Sequence, residues 1–388
     1  MNLKQTLLIA LSCWLTVGCK EKIATPHPQQ TPVNQTTQVD PPPSEADEEA
    51  PAETPKPIVD EKLVAKFQEF AKDVSLNSNG QINKLTLVDT ELSQENLSLV
   101  VELQHLESLA LQNVKITDDD LKLIGQIKTL RNLDLRNSPV SNDGLAHLTG
   151  LTGLRALRLS GQNGETTVDD GGMESVGKLT NLKALLLDFL WVSGEGLSQL
   201  EGLKNLEELY LAGTLVGDED LQQMSLFPNL KKLRISKLSQ VTGAGLEHVK
   251  KLPNLIDLDL SENSSMFDAD MVHLTEMTKL QRLNLWRVAI TDTGVAPLEK
   301  LSDMKWLNLD NTQLSDAGLT HLKGMQKLEF LHLGSTAISN DGLIELSGLK
   351  SLKDLKVTRT AVTEEGVENL KKELPETDIQ LKYLGDGE

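Results

Sequence analysis

Cysteine is nearly absent: the 388 residues hold two, Cys13 and Cys19. Both precede residue 20, so the chain beyond them can form neither a disulfide nor a cysteine metal site. Aromatic residues are also scarce, at 3%, which excludes a core built on large rings and leaves aliphatic side chains to fill it. Basic residues are outnumbered, 38 against 57 acidic ones, for a net charge of -19. That balance opposes binding to nucleic acid or to anionic lipid surfaces. No GxSxG, HExxH or glycine-rich phosphate loop occurs, and no carboxylate pair recurs outside the repeat pattern described below. With no catalytic, cofactor-binding or metal-binding constellation in view, the sequence reads as non-enzymatic.

What is present begins with a targeting segment. Residues 1–18 carry one early positive charge, Lys4, and then the apolar run Leu7-Leu8-Ile9-Ala10-Leu11. This is the layout of a secretory signal, and it is too short to span a membrane. Leu15-Thr16-Val17-Gly18-Cys19 resembles a bacterial lipobox, in which the cysteine after glycine is acylated and becomes the mature N-terminus. Thr16 departs from that pattern, standing where Leu is preferred. Cleavage by a general signal peptidase without a lipid is the alternative. The resemblance implies lipidation at Cys19 and a place in the cell envelope, anchored to a bacterial membrane by several acyl chains at about 0.8 kcal/mol per buried methylene.

Residues 19–58 hold nine of the fourteen prolines together with Gln, Thr and Glu and almost no large apolar residue. Nothing there offsets the entropy of ordering the backbone, so the segment reads as a disordered linker. Forty such residues span on the order of 35 Å. Residues 59–81 follow, with Leu63, Val64, Phe67 and Phe70 at helical spacing, and are expected to form a capping helix.

From residue 82 one pattern recurs, LxxLxLxxTxVTDxGLxxLxxLxx. It starts at Ile82, Leu106, Leu130, Leu154, Leu182, Leu206, Leu230, Leu255, Leu280, Met304, Leu328 and Leu352, and we number these repeats 1 to 12. The interval is 24 residues except for one of 28 and two of 25. A thirteenth strand is expected at Ile379-Gln380-Leu381. The LxL triplet puts leucine on one side of a short strand. GLxxLxxL makes a helix, with Thr117, Ser141, Thr291, Ser315, Ser339 or Thr363 ahead of it as N-cap. No unit can bury its apolar face alone, so the units must stack into an α/β solenoid of about 12 to 13 repeats, with a parallel sheet on the concave face and helices on the convex face.

Over about residues 75 to 385 the chain resembles the leucine-rich-repeat family, with the repeat domain itself placed at 82–388. Ile290-Thr291-Asp292-Thr293-Gly294-Val295 and Leu314-Ser315-Asp316-Ala317-Gly318-Leu319 are similar to the cysteine-containing subclass found in F-box substrate receptors. Here Thr90, Thr214, Thr312, Thr336 and Thr360 stand where that subclass has Cys or Asn. A lipobox is incompatible with a cytosolic ligase, so the resemblance implies a fold and a style of ligand holding. Lipid-anchored bacterial proteins with this repeat are the closer resemblance.

His147, His248, His273 and His321 share one helix position, which makes them a repeat preference rather than a metal site. The insertion in repeat 4, from Ser160 to Gly172, is rich in side-chain oxygens, yet its spacing matches no calcium loop. It reads as a surface excursion. The sharper signal lies at positions 3, 5, 7 and 8 of each repeat, which face outward from the sheet. Six of the twelve aromatic residues fall there, Phe189, Tyr210, Trp286, Trp306, Phe330 and Tyr383, a several-fold enrichment over even placement. Arg282, Trp306 and Phe330 occupy position 3 of successive repeats, with Asn284, Trp286, Arg287, Asn308 and His332 beside them. Aromatic and arginine side chains ringed by polar ones form interface hot spots. The expected function is therefore binding of a protein or glycan partner on the concave face, with Phe189 and Tyr210 as a secondary site. The alternatives are bulky side chains that only stiffen the sheet of a structural spacer, or an F-box-like substrate receptor.

Overall fold

The computed structural model describes residues 60–382. Cys19, the linker and Tyr383 lie outside that range. The described residues form one sheet of fourteen strands in sequence order, from Asp73–Leu76 to Asp378–Gln380. The first pair is antiparallel, Asp73 opposite Thr86, and every later neighbour is parallel. Strand residues of successive repeats stand in strict register, as in Arg282, Trp306, Phe330, Asp354 and Asp378.

The N-terminal cap differs from the expected helix over residues 59–81. The helix covers only Glu61–Gln68, capped by the Asp60 side chain on the Leu63 amide. The chain then forms the antiparallel strand Asp73–Leu76 and turns at Asn77 to Gly80. The Asn77 side-chain oxygen accepts the amides of Asn79 and Gln81, and Gly80 supplies the positive φ of 76°. An antiparallel strand closes the exposed edge of the first repeat more completely than a helix could, because it pairs the free strand backbone. Phe67 is fully buried, with Leu63, Val64 and Phe70 packed on the same core.

The leucine positions behave as their spacing demands. Leu280, Leu283 and Leu285 of repeat 9 are fully buried, and the same three positions are buried in nearly every repeat. Threonines 214, 312, 336 and 360, in the slot where the similar subclass has Cys or Asn, donate their hydroxyls to the carbonyl three residues back, Thr312 to Leu309 at 2.7 Å. Asn263 in the same slot of repeat 8 instead reaches the preceding repeat, accepting from the Leu238 amide and donating to the Ile235 carbonyl.

The TDxG element explains itself once the repeats are stacked. The hydroxyl residue caps its own helix, as Ser315 does by accepting the Ala317 amide. The following aspartate accepts both the amide and the hydroxyl of the next repeat's cap: Asp292 takes Ser315 N–H at 2.7 Å and Oγ–H at 2.5 Å. The same clasp joins Asp170 to Ser193, Asp218 to Thr242, Asp268 to Thr291 and Asp316 to Ser339. Glycine is required two residues later because a Cβ at Gly318 would lie 2.5 Å from the Asp292 Oδ1.

Gln94, Asn142 and Asn340 also stand in the aspartate's place, and two junctions lose the motif on both sides. Gly194 and Gly243 replace the aspartate, and the caps that would have met it are Gly217 and Phe267. Asp220 and Asp270 serve instead, each accepting the amide at the cap position of its own repeat, and Asp270 also reaches back to the Gly243 amide. Without a side-chain cap these two segments, Asp220–Leu226 and Asp268–Glu276, are entirely 3-10 helix. The other ten begin with an α-helical turn behind Ser, Thr or Asp. The cap thus decides the helix type.

Candidate functional site

One sheet face is packed on the helices and the other is open. Positions 3, 5 and 7 reach that open face because strand side chains alternate. Position 8 reaches it for another reason. In ten repeats it holds a non-glycine residue with φ between 52° and 61°, and in repeat 6 it is Gly213 at 64°. Its amide still extends the ladder, Arg287 N–H donating to the Asp310 carbonyl at 3.0 Å, while the left-handed backbone turns the chain out of the strand.

Arg282, Trp306 and Phe330 form a stack. The Trp306 and Phe330 rings are 4.9 Å apart between centroids and within 5° of parallel. The Arg282 guanidinium carbon sits 3.4 Å from the centre of the Trp306 ring. Trp306 is therefore sandwiched, and its edge is what faces solvent. Arg282 is oriented by Asp257 at 3.7 Å, whose carboxyl is pushed above its usual range by burial, against the pull of Arg282. His332 lies edge-on to Phe330 at 6.4 Å, and Lys356 lies 5.5 Å from the same ring. Burial holds the His332 imidazole below its ordinary range, although Asp310 works the other way. Asn308 is partly buried and accepts the Asp310 amide at 2.9 Å, which shapes the turn rather than aiming at solvent.

Trp286, Asn284 and Arg287, grouped with this stack by sequence, belong also to a second feature. Trp286 lines a hollow of about 450 Å³ together with Asn284, Phe189 and Tyr210. Lining residues come from repeats 2 to 9, which requires the sheet to curve inward. The two sequence-level patches thus meet at Trp286. Arg287 packs on Trp286 at 5.3 Å and pairs with Glu262 at 3.4 Å. In the hollow Arg234 is held between Asp188 at 3.1 Å and Asp259 at 3.3 Å, and stands 5.7 Å from the Tyr210 ring. Arg136 pairs with Asp134 at 2.7 Å. Burial raises the Asp188 carboxyl, partly offset by Arg234, and burial followed by a hydrogen bond to Glu208 raises the Tyr210 hydroxyl.

Sequence reasoning missed this ion-pair network, because Asp188 and Arg234 are 46 residues apart and meet across two repeats. It also missed Trp191, the most exposed of the large apolar side chains at 75%, and Leu215 at 54%, at the same position of the next repeat. Both stand at position 10, where other repeats carry Glu91, Lys115 or Gln313, and that contrast was the available signal.

Two other sequence-level features have plain geometry. In the repeat 4 insertion Asn163 donates to the Asn137 carbonyl and accepts the Glu165 amide, and Gly164 turns at φ 79°. His273 and His321 face Glu247 at 3.0 Å and Glu299 at 3.6 Å. Among the described residues no group of three or more His, Cys, Asp and Glu side chains is placed to hold a metal ion.

The family model for a leucine-rich repeat region matches residues 80–290, and a model for a single leucine-rich repeat matches residues 324–347. Among solved structures the chain is similar to an internalin of Listeria monocytogenes, at 20% identity over 84% of this chain and 94% of that one, with a TM-score of 0.52. A leucine-rich-repeat protein of Leptospira interrogans aligns at 20% identity over 81% of this chain and 94% of that one, with a TM-score of 0.43. A search among curated proteins finds no match.

Proposed function

The chain belongs to the leucine-rich-repeat family, and from that premise we propose that it is a non-catalytic interaction module that docks a protein partner on the open face of repeats 9 to 12. The family and the internalin-like fold support an interaction role in general. The observation that carries the particular reading is the sandwiched Trp306. Its faces are taken by Arg282 and Phe330, so it offers a partner an edge and a rim of apolar carbon. A sugar ring needs an open aromatic face, whereas a protein side chain packs well on such an edge. Around it the cations Arg282 and Lys356 and the acids Asp257, Asp310 and Asp354 supply the polar ring of an interface.

Lipidation of Cys19 and export through residues 1–18 complete the proposal. The solenoid would then stand off the bilayer on the residue 19–58 linker, open face free for a neighbour in the envelope.

The test is site-specific photocrosslinking from position 308 in the full chain, in cells, comparing wild type with Trp306→Ala and Arg282→Ala. Losing a hot-spot side chain costs about 2 kcal/mol or more, so the crosslinked protein should fall about thirtyfold while circular dichroism stays unchanged. Equal crosslinking yield in folded Trp306→Ala leaves the stack as sheet reinforcement and the spacer reading in its place.

A further inference from the structure

The hollow beneath Trp286 has its own chemistry, distinct from that of the stack. Its cations are all spoken for: Arg136 by Asp134, Arg234 by Asp188 and Asp259, and Lys237 by Glu262 at 3.0 Å. On a chain of net charge -19 this is a nearly balanced surface, and a strongly charged ligand would have to break one of these pairs to gain another. A neutral ligand would not. The pairs leave carboxylate lone pairs and guanidinium N–H groups beside the amide of Asn284, an array that suits hydroxyls, which donate and accept together. Phe189, Tyr210 and Trp286 add apolar surface on the same walls. The volume of about 450 Å³ lies within the range of small-molecule sites, about 300–1,000 Å³.

Phe189 gives the independent argument. It sits at φ 61°, where a bulky side chain is an outlier and Asn or Gly is cheaper. Repeats 2, 3 and 10 use Asn at this position and repeat 6 uses glycine. The backbone turn therefore does not call for phenylalanine. Its ring lies over Gly213, where a Cβ would come within 2.6 Å of it, and Lys237 stands 5.7 Å from its centre. The ring thus stands at the wall of the hollow at a conformational cost that asparagine or glycine would not carry.

We propose that this hollow binds a short neutral saccharide, its hydroxyls bridging the Asp188–Arg234–Asp259 pairs and its C–H face lying on Phe189 and Tyr210. The full-length protein is titrated by calorimetry with maltotetraose, cellotetraose and chitotetraose, and with tetragalacturonate as the charged control. At least one neutral tetrasaccharide should bind in the micromolar to millimolar range and more tightly than the control. Phe189→Gly should weaken it about tenfold or more while leaving the unfolding midpoint equal or higher, since glycine accepts the positive φ. Trp306→Ala should leave saccharide binding unchanged, which separates this site from the protein-docking stack. The proposal is overturned if no neutral tetrasaccharide binds, if the charged control binds more tightly, or if Phe189→Gly binds as wild type does.

Discussion

Replacing Asp292 with alanine tests the clasp that joins repeat to repeat. Asp292 accepts the amide and the hydroxyl of Ser315 at 2.7 and 2.5 Å, and Gly318 leaves room for it. Hydrogen bonds to a charged group contribute about 1.5–3 kcal/mol each, and an amide left without a partner costs about 1–3 kcal/mol. Asp292 is also the acid in the first turn of its own helix, a favourable dipole contact of about 0.3–1 kcal/mol. The loss should therefore total about 3–5 kcal/mol, all of it at the junction of repeats 9 and 10. In a solenoid stability is close to a sum over neighbouring units, so the damage should also be local. Urea unfolding followed by far-ultraviolet circular dichroism should split, with repeats 10 to 12 melting before the rest, whereas wild type melts in fewer steps. Tryptophan fluorescence reports the same event, because Trp286 and Trp306 flank the junction. Ser315→Ala removes the hydroxyl and keeps the amide bond, and should cost about 1–2 kcal/mol. In the double variant the two losses should overlap by about 1 kcal/mol or more. A cost for Asp292→Ala below about 1 kcal/mol, or losses that simply add, would refute the clasp.

Thr312→Val, which keeps shape and removes the donor to the Leu309 carbonyl, should cost about 1–2 kcal/mol by urea unfolding and leave binding at the stack untouched. Two groups lose their contribution in acid by one rule, each over its own pH window. His332 binds its proton more weakly in the folded protein than in the unfolded chain, so its contribution is complete above about 6.5 and declines as pH falls below that. His332→Gln should flatten stability between pH 7 and 5. Glu207, bonded by Lys183 and Lys231 and lowered from 4.5 to about 2, contributes above 4.5 and loses its share as pH drops toward 2. Being exposed it should add little, and less in high salt. Cys19→Ser should move the protein from the membrane pellet to the soluble envelope fraction and abolish incorporation of radiolabelled palmitate, and a variant that still pellets and labels contradicts lipidation at Cys19.

The sequence made the solenoid legible because each determinant is local. A leucine at positions 1, 4 and 6 is buried in whichever repeat it sits, and a Ser or Thr ahead of GL caps whichever helix follows. What stayed hidden depends on a neighbouring repeat. The cap on the first repeat is half strand because an open edge needs a pairing partner, and no periodicity in residues 59–81 announces that. The aspartate of TDxG stands in the first turn of its own helix, and its larger role appears only beside Ser315 or Ser339 of the next repeat. Five of the six aromatic positions, Phe189, Tyr210, Trp286, Trp306 and Phe330, stand on the open face, yet Trp286 belongs to the hollow as much as to the stack. Tyr383 and Cys19 lie outside the described residues.

Positions that hold the fold and positions that meet the surroundings are almost disjoint in this repeat. Leucines, cap and clasp occupy positions 1, 4, 6 and 12 to 15, so positions 3, 5 and 7 can vary at little cost to stacking. Position 8 is the exception, since it serves both demands. The fold wants a residue content with positive φ, and Asn113, Asn137, Asn311 and Gly213 meet that want. Phe189, Lys237, Glu262, Arg287, Ser335 and Arg359 do not, and holding each of them there costs about 1 kcal/mol or more. Three of the six, Phe189, Lys237 and Glu262, line one hollow, and Arg287 packs on Trp286 at its wall. In repeats 5 to 9 the strained position thus also supplies the side chains that shape the hollow. On that reasoning Asn at positions 189, 237, 262 and 287 should give a more stable solenoid with an emptied face.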